Sequence, residues 1–220
     1  MSDKKSPSRI LIVDDHQLVR EGLTLRISLE PDLCVCGEAA SQDEALAQLD
    51  LAQPDLIIVD LSLKGGDGLG LIKQIKARNP QAKMLVVTGF QESLYGERVL
   101  RAGALGFLNK QESTQHLIDA IRTVLTGRRY VSKQLEDRLI EKAISGEGVG
   151  GQSPMERLTD RELEVFRLIG EGRTSGAIAN QLFLSPHTVD THRENIKRKL
   201  GLANAGELSQ AAVQWVLEGG

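Results

Sequence analysis

Cysteine is almost absent from this chain, aromatic residues are few, and no apolar run is long enough to cross a bilayer. Its 220 residues include two cysteines, while Phe, Trp and Tyr together make up 3%. Cys34 and Cys36 stand one residue apart in LCVCGEA. In a strand they point the same way, too close in sequence for an ordinary structural bridge. No other Cys or His stands near enough to complete a metal site. A disulfide scaffold is therefore excluded, and the two thiols read as small strand residues in a reducing compartment. A cytoplasmic location is expected. A spanning helix needs about 18 consecutive apolar residues; with none present, no membrane is expected among the partners. The opening MSDKKSPSRI has basic residues but no apolar core of a signal peptide, and residues 1–8 are expected to form a disordered tail. A surplus of basic charge is missing too. The net charge is −3, and Arg157 to Gly220 carries eight basic and eight acidic residues. Any contact with nucleic acid must therefore rest on local arrangement, not on bulk charge.

What the chain does have is alternation. Short apolar runs occur at Ile10–Val13, Cys34–Val35, Leu56–Val59, Met84–Val87 and Gly106–Leu108. Between them stand segments with helical spacing: Leu18, Gly22, Leu25 and Leu29; Ala45, Leu46 and Leu49; Leu71, Ile72 and Ile75; Val99 and Ala102; Leu117, Ile118, Ile121 and Leu125. Ser41-x-x-Glu44 opens the second of these as a capping box. Strands regularly followed by helices predict an α/β fold, a doubly wound five-stranded parallel sheet with both faces covered. After Gly127 the alternation stops. Leu135, Leu139, Ile140 and Ala143 suggest a short amphipathic helix, and SGEGVGGQSP, from Ser145 to Pro154, has the composition of a flexible linker.

In an open parallel sheet, ligands collect outside the carboxyl ends of the strands where the strand order reverses. The candidates at those ends are Asp14 and Asp15, Asp60, Thr88 and Lys110. With strand order 2-1-3-4-5, the three aspartates converge. Like charges so close repel unless a cation shares the site, and an all-oxygen set suits Mg²⁺. A carboxylate beside that ion is placed to attack a phosphoryl group, with Lys110 neutralising the transferring oxygens and Thr88 offering a hydroxyl. Taken singly, Asp15 reads equally well as a helix cap and Lys110 as a solvated lysine. The whole set at successive strand ends is what points to phosphoryl chemistry.

Four segments, ILIVDDH, IIVDLSLKGGDGLGLI, MLVVTGF and RAGALGFLNK, resemble the receiver domain of two-component response regulators, over residues 9–127. The resemblance implies that Asp60 is the phosphoacceptor and that a histidine kinase is the donor. It further implies that Asp14, Asp15, Asp60 and the backbone carbonyl of Ser62 hold Mg²⁺. Thr88 and Phe107 would form the switch pair, and Lys110 would meet the phosphoryl group. The chain departs from the family at Lys64, where proline is common, and at Gly89, where alanine or serine is usual.

The C-terminal part carries only helical signals. Thr159-x-x-Glu162 is a second capping box, Glu171-Gly172 a break, and Ser185-Pro186 an N-cap followed by proline. Gly201 reads as the cap that ends the third of four helices. Helix, turn, and a longer helix with Val189, His192, Ile196 and Leu200 inward make a helix-turn-helix layout. His192 is expected to be packed and hydrogen-bonded. The outward set, expected to meet DNA, comprises Thr174, Ser175, Thr188, Asp190, Thr191, Arg193, Glu194, Lys197 and Arg198, with Lys199 beside the last two. From LTDRELEVF through HRENIKRKLGL the segment resembles the LuxR-type four-helix DNA-binding domain, over about Arg157 to Glu218 within an expected domain 157–220. Gly176-Ala177 replaces a pair that is often charged.

The two resemblances together imply a regulator of the NarL/FixJ group, with 128–156 as helical and Gly-rich linker. Such a regulator binds double-stranded DNA as a homodimer when active, and Leu208, Ala212 and Val216 on the fourth helix are the implied dimer contact. It is not an enzyme beyond its own phosphoryl transfer and slow autodephosphorylation. Two rival readings differ in class. An aspartyl-phosphate phosphatase would carry a second aspartate two residues after the nucleophile, where this chain has Ser62. A phosphorylation-independent DNA binder would not need the acidic set.

Overall fold

The structure, a computed structural model, describes residues 6–63, 68–112, 114–145 and 154–217. Lys64, residues 1–5 of the expected tail and most of the expected Gly-rich linker lie outside them. The chain divides into two compact units, Met1–Glu136 and Asp137–Gly220.

In the first unit, strands and helices alternate: β1 (Ser8–Val13), α1 (Gln17–Ser28), β2 (Leu33–Ala39), α2 (Gln42–Ala52), β3 (Leu56–Val59), α3 (Gly68–Arg78), β4 (Met84–Thr88), α4 (Glu92–Ala102), β5 (Gly106–Asn109) and α5 (Thr114–Leu125). The strands are parallel, in the order β2-β1-β3-β4-β5, as the alternation predicted. Every residue of β3 and β4 is buried, which is why those segments read as unbroken apolar runs. Ile10, Ile12, Ile58 and Leu85 join Ile27, Ile118, Ile121 and Val124 in one core cluster on the α1/α5 side.

Two expectations need correction here. β1 begins at Ser8, inside the segment taken for tail, because the Ser8 N–H donates to the Asp32 carbonyl at 2.9 Å. On α1 and at its C-cap, Leu18, Leu25 and Leu29 are 82%, 67% and 68% exposed, and Gly22 is exposed as well. The packed side is the neighbouring one, Val19, Leu23 and Ile27. Apolar residues lie on two faces of this helix, and the face turned to β2 and β1 is the one that is covered.

The first unit also runs past Gly127. Tyr130 pairs with Gly106 at the outer edge of β5, its N–H donating to the Leu105 carbonyl (3.0 Å) and its carbonyl accepting from Phe107 N–H (2.9 Å). Helix α6 (Lys133–Ser145) follows. In the second unit a short 3₁₀ turn (Pro154–Arg157) precedes α7 (Asp160–Gly170), α8 (Ser175–Leu182), α9 (Pro186–Leu200) and α10 (Ala205–Leu217). Its starts and stops follow the capping signals. Thr159 and Glu162 form the reciprocal box on α7, Ser185 Oγ accepts from Thr188 N–H, and Gly201 closes α9 at φ 69°. Leu163, Phe166, Ile178, Val189, Ile196, Leu208 and Ala212 are its buried centre.

Candidate functional site

The register of the sheet brings the acids together. The Asp60 N–H donates to the Val13 carbonyl at 2.8 Å and the Asp14 N–H to the Ala39 carbonyl at 3.1 Å. The carboxyl ends of β1 and β3 thus emerge side by side, where the strand order reverses. Asp14 and Asp60 are buried and Asp15 is largely covered. Lys110, which leaves β5 with its N–H on the Thr88 carbonyl (2.8 Å), extends its Nζ to Asp14 Oδ2 (2.7 Å) and Asp60 Oδ2 (2.9 Å). Burial alone would lower the Lys110 pKa, but the two carboxylates outweigh it and hold the ammonium above its usual value.

The site is not fully balanced. Asp60 Oδ2 takes Lys110 and the Ser62 hydroxyl (2.9 Å), while Asp60 Oδ1 is buried with no hydrogen-bond partner among the described residues. A buried carboxylate oxygen with an open valence is costly unless something occupies it. Carboxylate oxygens of Asp14, Asp15 and Asp60 and a nitrogen of His16 all lie within 4.8 Å of one another. Ligands at about 2.1 Å from one octahedral ion are separated by up to about 4.2 Å, so these oxygens can share a small hard cation with modest adjustment. The residues present fit such an ion.

Three further residues shape the site and escaped the sequence reading. Arg20 donates to the Asp14 carbonyl (2.7 Å) and to Glu38 (3.2 Å), pinning the turn after β1. His16 places Nδ1 2.8 Å from Asp15 and its N–H on Asp14 Oδ1 (2.9 Å). Gly68 opens α3 directly over the turn after β3. A Cβ there would lie 2.5 Å from both the Asp60 carbonyl and Leu61 Cα, so only glycine allows the close approach. GDGLGL carried that signal, as glycine just before an apolar helical run.

Thr88 is buried at the end of β4, its Oγ1 accepting a long 3.4 Å bond from Phe90 N–H, and Phe107 is buried on β5. Gly89 has open space on its side-chain side. Ser62 contributes its hydroxyl to Asp60, a contact the expected carbonyl role did not include.

In the second unit α8 and α9 meet at a turn in which Phe183 adopts φ 52°. Thr174 caps α8 from an exposed position, and Asp190, Thr191, Glu194 and Arg198 are exposed along α9. Ser175, Thr188 and Arg193 are half-covered. Lys197 pairs with Glu194 at 2.9 Å and is mostly covered along its stem.

Comparison with known proteins agrees with both units. Residues 10–122 match the family model "Response regulator receiver domain", and residues 156–212 match "Bacterial regulatory proteins, luxR family". The transcriptional regulatory protein LiaR of Bacillus subtilis is 37% identical over 207 residues, covering 93% of this chain and 95% of LiaR. The response regulator GacA of Pseudomonas protegens is 34% identical, covering 94% and 95%. Among solved structures, RcsB of Salmonella typhimurium superposes with a TM-score of 0.71 at 27% identity, over 96% of this chain and 98% of that one.

This chain is a two-component response regulator of the NarL/FixJ group. It joins a receiver to a LuxR-type DNA-binding domain, and its relatives are DNA-binding transcriptional regulators. No helix among the regulator's described residues is long and apolar enough to cross a membrane.

Within the regulator, three expectations fail for physical reasons. Leu208 and Ala212 are fully buried and face α7, where a Cβ on Gly170 would strike the Ala212 carbonyl. They pack inside the domain and are not on its surface as the dimer contact would need; Val216 is half-buried. Lys199 is not free for phosphate, because its Nζ lies 2.5 Å from the buried Glu162. His192 is half-buried, and burial together with Arg161 pushes its pKa down, yet no hydrogen bond reaches its ring among the described residues.

Proposed function

We propose that Asp60 is the residue that receives the phosphoryl group from a partner histidine kinase, and that this event controls dimerisation and DNA binding. The observation that carries the reading is Asp60 Oδ1, buried and unpartnered at the end of β3, beside two further carboxylates and an ammonium. Asp14, Asp15 and Asp60, with the Ser62 carbonyl, are the residues that would hold Mg²⁺. When bound, the ion shields the acids from one another and neutralises charge on the transferring oxygens.

The chain's own residues account for the rest. Oδ1 attacks phosphorus in line, the P–N bond of the phosphohistidine breaks, and the imidazole departs with its electron pair and takes a proton. Lys110 already stands 2.9 Å from Asp60 Oδ2, and exchanging that contact for a phosphoryl oxygen leaves it neutralised on both sides of the reaction. Phosphorylation adds about two negative charges, and the Thr88 hydroxyl is one strand away to turn towards them. Phe107 follows Thr88 as the switch aromatic. The phosphatase reading loses support: the position two residues after Asp60 is Ser62, whose hydroxyl serves Asp60 itself.

Within the DNA-binding domain, Thr188, Asp190, Thr191, Arg193 and Glu194 supply base-reading groups, while Thr174, Ser175, Lys197 and Arg198 address phosphates. With Leu208 and Ala212 withdrawn, the pairing side of α10 is its exposed one, bearing Val213 and Leu217. Receiver function is assigned to residues 9–127 and DNA binding to 157–220.

Incubation with Mg²⁺ and acetyl phosphate, followed by intact mass, sedimentation and DNA-binding measurements, tests the reading. One phosphoryl group per chain, more dimer and tighter DNA binding are expected, and Asp60→Asn removes all three. A variant Asp60→Asn that binds DNA and drives transcription like the parent would instead establish regulation independent of phosphate.

A further inference from the structure

Helix α6 buries little of its own surface, although Lys142 near its end pairs with Glu156 at 3.1 Å. Of its thirteen residues, Leu135 is the one buried side chain among those described; Ile140 and Ile144 are exposed. A polar helix of this length is marginal in water unless its ends are held. Its start is held, and by the receiver. The Ser132 N–H donates to Glu92 Oε1 in the first turn of α4 (2.9 Å), while Ser132 Oγ caps α6 by accepting from Leu135 N–H (3.2 Å). Leu135 is seated against Gly96 of α4 so closely that a Cβ there would lie 2.5 Å from Leu135 Cδ2. Two residues before Ser132, Tyr130 is bonded to both sides of Gly106 on β5.

The same stretch of α4 leads back to the acid site. Phe90 N–H bonds to Thr88 Oγ1 (3.4 Å), the Phe90 carbonyl accepts from Asn109 Nδ2 (3.2 Å), and the Phe90 ring stacks on Tyr95 with centroids 4.7 Å apart. Tyr95 is buried and is followed directly by Gly96. Asn109 also accepts from Gln111 N–H (2.9 Å), so its amide ties the turn after β4 to the turn after β5. A continuous packed route thus runs Thr88, Phe90, Tyr95, Gly96, Leu135.

We propose that residues 130–135 form a strap through which the state of the phosphorylation site sets the stability of α6. The inference rests on the reading of Asp60 and Thr88 given above and adds where the signal goes. When the Thr88 hydroxyl turns towards a phosphoryl oxygen on Asp60, the bond from Phe90 N–H to Thr88 Oγ1 is broken. The turn after β4 is then released, Phe90 and Tyr95 move together, and the seat of Leu135 on Gly96 opens. Helix α6 loses its cap and its buried side chain at once, and its first turns fray.

Hydrogen exchange of the full-length chain, with intact mass taken on the same samples, tests this. With Mg²⁺ and acetyl phosphate, amides of residues 133–145 are expected to exchange about tenfold faster, the size of effect a lost cap and one lost packing contact produce. Gly96→Ala, which only adds a methyl group to a helix, is expected to speed the same amides without phosphate by displacing Leu135. Leu135→Ala should match it, and phosphorylation should add little to either variant. Full phosphorylation by mass with unchanged or slower exchange in α6 would overturn the coupling and leave the phosphoacceptor reading intact. Wild-type exchange in both variants would overturn the anchoring itself. A chain that never gains the phosphoryl mass would sink the reading of Asp60 and the strap with it.

Discussion

Asp60 in the receiver and Glu162 in the DNA-binding domain are both buried carboxylates, and their surroundings are opposite. Glu162 Oε2 takes the Thr159 N–H at 2.7 Å and Lys199 Nζ at 2.5 Å, closing the α7 cap and tying α7 to α9. Asp60 shares its one cation with Asp14 and keeps Oδ1 open. Burial raises the Glu162 pKa, but Lys199 and the Thr159 cap outweigh it and hold the carboxyl below its ordinary range. An acid whose valences are closed by its own chain is structural, since its removal strands a partner. An acid left with an open valence among like charges costs the fold something, and that cost is recovered when a ligand arrives.

The largest separation is expected from removing each acid. Glu162→Ala leaves Lys199 and the α7 cap unmatched and should destabilise the DNA-binding domain by about 3 kcal/mol. Trp215, the chain's single tryptophan, lies 5.5 Å from Phe166 and reports denaturant unfolding of that unit alone. Asp60→Asn relieves repulsion with Asp14 and should leave the receiver as stable as the parent or slightly more so. An equal loss in the two variants would erase the distinction.

The next effect in size is that of the ion. At about a hundred times its dissociation constant, Mg²⁺ should stabilise the receiver by about 2.7 kcal/mol, leave the Trp215 transition in place, and do far less in Asp60→Asn. Differential scanning calorimetry separates the two units. Acid acts on the other partner of the comparison. The folded pKa of Glu162 is depressed, so its contribution is complete above the unfolded value of about 4.3 and lost as pH falls below it towards the folded value. The Trp215 transition should therefore weaken through that window, and Glu162→Gln should flatten the dependence.

The same contrast explains what the sequence reveals and what it hides. Strand ends, sheet order and capping boxes are local patterns, and Ser41, Thr159, Ser185 and Gly201 each act where those patterns place them. The acids at strand ends were legible because topology alone brings neighbouring strand ends together. Facing was not legible where a helix is apolar on two sides: Leu18 and Leu25 on α1, with Leu29 at its cap, mimic a buried stripe, and on α10 Leu208 and Ala212 mimic an exposed one. Lys199 read as a phosphate contact because its partner, Glu162, lies 37 residues away in the chain. Gly68 stood in view as a glycine opening an apolar helical run, but the close backbone approach it serves shows only in the fold, and Arg20 reaches Asp14 and Glu38 across two elements.

The smallest effect expected concerns the two neighbouring cations at the end of α9. Arg198 is exposed, and among the described residues it bonds only to the nearby Asn195 at 3.1 Å, so its charge is free to meet a phosphate. Lys199 is committed to the domain's own core. Arg198→Ala should weaken DNA binding a few-fold across all sequences and lower the slope of log affinity against log salt by about one, with the Trp215 transition unchanged. Lys199→Ala should do the reverse, moving the unfolding transition through loss of the Glu162 pair while the salt slope of the folded fraction holds. Affinities measured over a range of salt, beside denaturation of the same two variants, check the pair. If both variants changed the slope and neither changed the unfolding, Glu162 would not hold Lys199 in solution, and the structural half of the comparison would be lost.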